Sequence, residues 1–402
     1  MSRRTIILGD LHLVRHTPRG VVGDLVALLA EHPGARVVVA GDLFDLSSDA
    51  PGTSRREALG AALGAHPGLR AALGQHVDGG GSLWLVAGNH DAELGDPTFV
   101  AELQRELGLG GAARERVRVT PWFFRDGALH VEHGHLYDPD NAPAHPLVLG
   151  APSLGVHFVE RFIAPTGAHR YLHANDGTPL WLLLSAFRWY GWRGPHVVYR
   201  YFDAAFSALA RSGTFYRGDG EVLRGRERVQ AFAREAGVEL DVVRALDDVR
   251  ATPTLSSAAR TATRLYLDRV VATVALGGGL AAAAGGAAGT AGVLAGFGAL
   301  LLGASWAAGH DRYGDGAARA GSARVNGVQG HLAAGARGVR EVTGARLVVL
   351  GHTHRESIDE GYANTGSFAF PRGAPGRPYL MIEGEVDAPR VVRRYAGGSE
   401  PG

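Results

Sequence analysis

In the stretch Thr5-Ile-Ile-Leu-Gly-Asp-Leu-His12, a short apolar run is followed at once by a glycine, and a carboxylate and an imidazole come directly after it. A continuous apolar run of this length predicts a β-strand that is buried on both faces. Residues two positions apart in an extended backbone share a side. Asp10 and His12 are therefore predicted to reach one cation together.

The same succession of an apolar run and a polar turn with glycine recurs along the chain. The further runs are Val37–Ala40, Leu83–Ala87, Leu129–Glu132 and Leu347–Leu350. Layered α/β folds place their sites at the carboxyl ends of such strands. Helix-like stretches at Val21–Leu29 and Pro97–Leu107 follow some of the runs, so the sequence predicts an α/β protein with alternating elements.

The turns after these runs contain side chains that can do chemistry. They read Gly41-Asp-Leu-Phe-Asp45, Gly88-Asn-His-Asp91, His133-Gly-His135 and Gly351-His-Thr-His354. Asp42 can bridge two cations with its two oxygens, and Asp45 can orient neighbouring ligands. Asp91 is placed to fix the tautomer or charge of His90. One such motif is also typical of a helix cap or a turn. Five in this order indicate a site.

The pattern of strands and polar turns is absent from about residue 151 to residue 344, where the sequence is helical in character. We therefore predict a core in two parts, residues 1–150 and 345–402, separated by a helical insertion at 151–344. Two closing strands are predicted at Tyr379–Glu383 and Arg390–Tyr395. Because the last His motif lies beyond the insertion, the site is predicted to combine both parts.

The insertion contains a segment, Val270–Gly309, without a charged residue. It is about twice the ~20 residues that one membrane-spanning helix needs, so a helical hairpin with its turn near Gly285–Thr290 is one interpretation. Glycines spaced by four residues, Gly285/Gly289 and Gly292/Gly296, would allow close helix packing. A buried hairpin in a soluble cap, or a flexible segment, is the other interpretation, because Ala and Gly are weakly hydrophobic.

Composition excludes several classes of site. The chain has no Cys, which rules out disulfides, thiolate nucleophiles and Cys-ligated zinc. Its net charge of +1 gives no reason to expect a nucleic-acid partner. The N-terminal apolar run is too short for a secretory signal, which predicts a cytoplasmic protein, with association with the inner membrane through residues 270–309 as an open alternative.

The five motifs together resemble those of the calcineurin-like metallophosphoesterase superfamily: Asp-X-His, Gly-Asp-X-X-Asp, Gly-Asn-His-Asp, a further His and Gly-His-X-His. The resemblance covers roughly residues 5–140 and 345–385. It implies a four-layer αββα sandwich with two divalent metal ions at the strand ends. Manganese is expected, with iron or zinc as alternatives.

The resemblance also implies a role for each matching residue. Asp10, His12 and His354 would hold the first metal, with Asp42 bridging, and Asn89, His133 and His352 would complete the second site. His90 would be a catalytic imidazole that is not a ligand, held by Asp91.

The position of the insertion resembles the layout of UDP-2,3-diacylglucosamine hydrolases, although those enzymes usually have Arg in place of His90 and a much shorter lid. The favoured function is hydrolysis of a phosphomonoester, phosphodiester or pyrophosphate bond in a lipid-linked or nucleotide-linked substrate, with membrane contact through residues 270–309. A soluble protein or nucleotide phosphatase and a non-catalytic scaffold are the alternatives.

Overall fold

The computed structural model describes residues 4–48, 52–149, 153–168, 179–213, 219–265, 267–285, 289–300, 323–372 and 375–397. The chain divides into two compact units. The first consists of residues 1–156, 219–252 and 331–402, and the second of residues 157–218 and 253–330. The first unit thus includes residues 219–252 and 331–344, which lie inside the predicted insertion. The domain boundaries at 150 and 345 remain a prediction.

The first unit contains two β-sheets. The six-stranded sheet has the order β11-β10-β1-β2-β3-β4, and the five-stranded sheet has the order β5-β6-β7-β9-β8. The strands are β1 Thr5–Leu8, β2 Arg36–Ala40, β3 Ser82–Val86, β4 Val117–Thr120, β5 Phe123–Asp126, β6 Leu129–Glu132, β7 Leu347–Leu350, β8 Glu356–Asp359, β9 Tyr362–Thr365, β10 Arg377–Glu385 and β11 Ala388–Ala396. All five predicted apolar runs and both predicted closing strands form strands.

Alternation along each central strand builds two separate apolar layers. In β1, Ile6 and Leu8 join the core beneath the helices, whereas Ile7 joins the core between the two sheets. Val131 of β6 and Val349 of β7 meet Ile7 in that inner core. Because both faces of these strands are covered, their sequences are continuously apolar and not alternately polar. The mixed α/β fold class is confirmed.

Helices surround the sheets and also build the second unit. They are α1 Arg19–Glu31, α2 Arg55–Ala65, α3 Pro67–Asp78, α4 Pro97–Glu106, α5 Gly111–Arg114, α6 Leu154–Phe158, α7 Ala164–Thr166, α8 Pro179–Tyr190, α9 Gly194–Ala210, α10 Asp219–Ala236, α11 Leu240–Val249, α12 Ala258–Arg264, α13 Leu267–Ala284, α14 (289–300) and α15 Ala323–Thr343. A capping box fixes the start of α2, where Ser54 and Glu57 satisfy each other's backbone amides. At the start of α4, the side chain of Asp96 accepts the amide of Thr98, and Pro97 occupies the first helical position.

Part of the predicted insertion belongs to the first unit and packs within it. The ring of Phe232 in α10 stacks on Trp122, with 5.9 Å between the ring centroids. In α15, Leu332 is fully buried, and it lies close to Gly134 and Leu350 of the five-stranded sheet. These contacts join residues far apart in sequence, so the local periodicity of the sequence could not predict them.

The uncharged segment forms two helices that pack closely within the second unit. A Cβ atom added at Gly279 of α13 would lie 2.6 Å from the backbone nitrogen of Ala295, and one added at Gly298 of α14 would lie 2.6 Å from that of Leu276. The helices therefore run antiparallel and touch through Gly279 and Gly298. The predicted pairs Gly285/Gly289 and Gly292/Gly296 do not make this contact among the described residues. A Cβ added at Gly289, Gly292 or Gly296 meets no described atom within 4 Å, and one added at Gly285 meets only the carbonyl oxygens of Ala281 and Ala282.

Among the described residues, no helix is both long enough and apolar enough to cross a membrane. The predicted turn falls partly on residues 286–288, and residues 301–309 complete the uncharged segment. Both stretches lie outside the described residues.

Candidate metal centre

Five loops meet at one place in the first unit because of the direction of their strands. The strands β1, β2 and β3 are parallel neighbours, and so are β6 and β7. The carboxyl ends of parallel neighbours lie at the same edge of a sheet. Hydrogen bonds tie the loops together. The amide of Gly351 donates to the carbonyl of His133 at 2.8 Å within the five-stranded sheet, and Nδ1 of His133 lies 2.9 Å from the carbonyl of Ala40 in the other sheet.

The backbone in these loops has an uncommon conformation. Among the described residues, those other than glycine with a positive φ are Asp10, His12, Asp42, His352 and His354, with φ between 47° and 71°. All five are predicted metal ligands. A residue with a Cβ in this left-handed region is strained, and such strain is typical of functional sites where the surroundings impose it.

Two glycines leave space for proposed ligand side chains that come from neighbouring loops. A Cβ at Gly41, which has a φ of 84°, would lie 2.3 Å from the ring of His133. A Cβ at Gly88 would lie 2.0 Å from Oδ1 of Asp42. The glycines in these motifs are therefore needed for the close approach of side chains, in addition to closing a turn.

Asp10, His12 and His354 form one group that could hold a cation, as predicted for the first metal. Their ligand atoms all lie within 4.8 Å of one another. Nε2 of His12 lies 3.1 Å from Nε2 of His354, which in turn lies 3.1 Å from Oδ1 of Asp10. The side chains of His12 and His354 are 10% and 21% exposed, whereas Asp10 is fully buried. Solvent therefore reaches this group at its two imidazoles and not at its carboxylate.

Asp42 belongs to both further groups of this kind. It joins Asp10 and His133 in one group, and His12 and His90 in the other. Its Oδ2 lies 3.2 Å from Nε2 of His133 and 3.8 Å from Nε2 of His12. A carboxylate between two groups has the position expected of a bridging ligand.

Asn89 and His133 lie together, as predicted for the second metal. Oδ1 of Asn89 is 3.0 Å from Nε2 of His133. Because Nδ1 of His133 faces the carbonyl of Ala40, Nδ1 carries a proton and Nε2 is the nitrogen that a cation could bind. His133 is therefore prepared as a ligand by a backbone carbonyl.

Asp45, and not Asp91, contacts the ring of His90, which corrects the predicted pairing. Nδ1 of His90 lies 2.9 Å from Oδ1 of Asp45, and the hydroxyl of Ser47 donates to the same oxygen at 2.9 Å. Asp91 is fully buried and accepts the amides of Gly88 at 2.7 Å and Phe44 at 3.1 Å. Its carboxylate fastens two loops together, because both of its oxygens point at backbone donors.

His352 has a partner that the sequence reasoning missed. Its Nε2 lies 2.9 Å from Oδ2 of Asp138, and its ring centroid is 5.1 Å from that of His133. Among the described His, Asp and Glu residues, His352 is not part of any group of three ligand atoms within 4.8 Å. Asp138 follows His133 by five positions, and that proximity to a ligand motif was the signal available in the sequence.

Burial and mutual charge set the protonation of the site. Burial alone would raise the pKa of Asp42, but the neighbouring imidazoles of His133 and His90 hold it well below its usual range. Burial lowers the pKa of His12 to about 4, so that side chain is a neutral imidazole near neutral pH. Burial also disfavours charge on His90, yet Asp45 and Asp42 raise the pKa of His90 to about 10.

The residues present fit divalent cations. Oδ1 of Asp10 is buried beside Nε2 of His354 at 3.1 Å and Nε2 of His12 at 3.9 Å, yet neither contact has the geometry of a hydrogen bond. A buried carboxylate oxygen that accepts no hydrogen bond is costly. Carboxylate, amide and imidazole donors suit borderline and hard cations. An anionic, buried oxygen next to two imidazole nitrogens is the arrangement that a cation would complete.

The comparison with protein families agrees with this geometry. The family described as calcineurin-like phosphoesterase matches residues 3–228, which is more than half of the chain. This chain belongs to the calcineurin-like phosphoesterase family. A search of curated proteins finds no match.

The calcineurin-like phosphoesterase family is a family of metal-dependent phosphoester hydrolases. The matched stretch ends before His352 and His354, and the structure brings those two residues to the same centre through β7. His135 is buried beside His133, with 5.3 Å between the ring centroids. It lines a small pocket together with Asn89 and Asn141.

Proposed function

We propose that this chain hydrolyses phosphoester or diphosphate bonds at a centre that holds two divalent cations. The observation that carries the proposal is the position of Asp42 in two overlapping ligand groups. Asp10, His12 and His354 would hold one cation, Asn89, His133 and His352 the other, and Asp42 both. Such cations supply Lewis-acid stabilisation of the charge on a reacting phosphoryl group.

His90 would protonate or stabilise the leaving oxygen. Its Nδ1 is occupied by Asp45, so Nε2 is the atom left to serve a substrate. An imidazolium held by a carboxylate keeps its orientation while it donates a proton. His90 also lies in one group with His12 and Asp42, so its ring is next to the proposed cations.

We propose manganese as the metal, with iron or zinc as alternatives. The donor set contains oxygen and nitrogen atoms, and the chain has no Cys to favour a softer site. Metal analysis of the purified protein, followed by titration of the stripped protein with each ion, would rank the three.

The reaction is tested by hydrolysis of bis-(p-nitrophenyl) phosphate with and without added Mn²⁺, next to the Asp42→Ala variant. Turnover that requires the metal and disappears in the variant is the expected result, because Asp42 serves both cations. The matched control is Asp241→Ala, a 91% exposed carboxylate of the same unit. Metal-dependent activity that persists in Asp42→Ala would refute the site, and absence of turnover with every metal and substrate would favour a scaffold.

We propose a lipid-linked substrate ahead of a soluble nucleotide or phosphoprotein. Large apolar side chains are exposed on the second unit, including Trp192 at 90%, Val293 at 72% and Leu300 at 75%. Exposed apolar side chains next to Arg188 and Arg193 are typical of proteins that contact an anionic lipid surface.

Sedimentation with vesicles of anionic lipid tests this part of the proposal. The wild type is expected to sediment with vesicles, and a Val293→Ser/Leu300→Ser variant to remain mostly in the supernatant. If the wild type does not sediment with vesicles, yet hydrolyses a nucleotide diphosphate, the proposed substrate changes from a lipid-linked to a soluble one. The proposed metal chemistry would be unaffected.

A further inference from the structure

A short loop after the His133 motif connects two of the proposed ligands of the second cation. Asp138 contacts His352, as described above, and also accepts a bond from Nδ2 of Asn141 at 2.8 Å. Oδ1 of Asn141 lies 3.5 Å from Nδ2 of Asn89. The hydrogen bonds therefore run from Asn89 through Asn141 and Asp138 to His352.

The chemistry of one carboxylate fixes the direction of this whole chain of bonds. An ionised carboxylate only accepts, so the atom of Asn141 that faces Asp138 must be its NH₂ group. The remaining oxygen of Asn141 must then face the NH₂ group of Asn89. Oδ1 of Asn89 is consequently turned away from Asn141 and towards Nε2 of His133, where a cation would bind.

The same carboxylate also selects the tautomer of His352. Nε2 of His352 donates to Oδ2 of Asp138, which leaves Nδ1 as the unprotonated nitrogen of a neutral ring. A ligating imidazole needs such a lone pair, and a carboxylate on its other nitrogen is a common means of orienting it. Asp138 thus acts on an amide oxygen and an imidazole nitrogen at once.

We infer that Asp138 and Asn141 are positioning residues that select the donor atoms of Asn89 and His352 for the second cation. The inference rests on the proposed two-cation function. It goes beyond it by assigning the arrangement of that cation's ligands to a loop that contributes no ligand of its own. The loop is well held, since the amide of Asp140 donates to Oδ1 of Asp138 at 3.0 Å.

The substitution Asp138→Asn tests the inference with almost no change in shape. Both oxygens of Asp138 accept from donors: Oδ1 from Asp140, and Oδ2 from Asn141 and His352. An amide at this position must present its NH₂ group to one of these donors, whichever way it turns. It therefore breaks the direction of the chain, and Asp241→Asn, at a 91% exposed carboxylate, is the matched control.

The measurement is calorimetric titration of the full chain, stripped of metal, with Mn²⁺ and separately with Zn²⁺. We expect two sites in the wild type and in Asp241→Asn. In Asp138→Asn one of the two sites should lose about 10- to 100-fold in affinity while the other keeps its wild-type affinity. Asn141→Ala removes one neutral hydrogen bond at Asn89 and should cost about fivefold at the same site only.

The possible outcomes distinguish failure of the positioning role from failure of the proposed two-cation function. Two sites of unchanged affinity in Asp138→Asn, or an equal loss at both sites, would overturn the positioning role. A wild type that takes up neither ion would overturn the proposed function and the inference with it. If Asp138→Asn does not fold, as judged by circular dichroism, a wild-type isotherm from Asn141→Ala overturns the inference.

Discussion

Nδ1 of His90 lies 2.9 Å from Oδ1 of Asp45, so the imidazole is held by a carboxylate 45 positions earlier in the chain and not by its neighbour Asp91. This pairing separates two functions within one motif. Asn89 and His90 face the centre, whereas Asp91 binds the backbone behind it.

Asp45→Asn should slow turnover without removing metal. The variant removes the charge that orients His90 and stabilises its protonated form, while every proposed ligand remains. We expect kcat to fall by about 10- to 100-fold at saturating metal, with unchanged metal content. Steady-state kinetics with bis-(p-nitrophenyl) phosphate and metal analysis of the same preparation would check this.

A double variant makes the pairing of Asp45 and His90 testable as a unit. His90→Ala should retain metal and slow turnover by about 10²-fold or more. Adding Asp45→Asn to His90→Ala should change little, because residues that act through each other are not additive. Fully multiplicative losses would show that Asp45 acts on something other than His90.

Asp91→Ala should reduce stability to a greater extent than any change at an exposed carboxylate. The variant leaves the buried amides of Gly88 and Phe44 without an acceptor. Each such amide costs about 1–3 kcal/mol, so the free energy of unfolding should fall by about 2–6 kcal/mol. Urea unfolding compared with Asp241→Ala would measure the difference, and equal stability in the two variants would contradict the structural role of Asp91.

Gly88→Ala should impair metal binding. Its new methyl group would lie 2.0 Å from Oδ1 of Asp42, which must then move. We expect metal affinity to fall by at least about 10-fold. Gly60→Ala is the control, because open space surrounds Gly60 inside α2 and alanine there should stabilise the helix by up to about 1 kcal/mol. Titration calorimetry on both variants gives the comparison, and normal affinity in Gly88→Ala would contradict the position of Asp42.

The close contact between α13 and α14 predicts opposite effects for two adjacent glycines. Gly279→Ala would place a methyl group against the backbone of Ala295 and should destabilise the second unit by about 1–3 kcal/mol. Gly278→Ala points into open space and should be neutral or stabilising. Thermal unfolding followed by circular dichroism would distinguish the two, and equal melting temperatures would contradict the antiparallel packing.

The central strands and the motifs whose side chains meet at the candidate centre could be predicted from the sequence. Apolar runs such as Thr5–Leu8 are buried on both faces, so their composition alone indicates strands. The ligand motifs are local, and Asp10, His12, Asp42 and His354 meet as their motifs predicted. The strands Val117–Thr120 and Phe123–Asp126 were not predicted, because each contains an arginine and neither is a continuous apolar run.

Which side chains contact each other at the centre depends on the tertiary structure. Asp138 reaches His352 across 214 positions, and Asp45 rather than Asp91 reaches His90. It also decided that Phe232, within the predicted insertion, packs on Trp122 of the first unit. A sequence pattern reports which face of an element is buried, but the partner on that face depends on how strands from distant parts of the chain are ordered in the sheets.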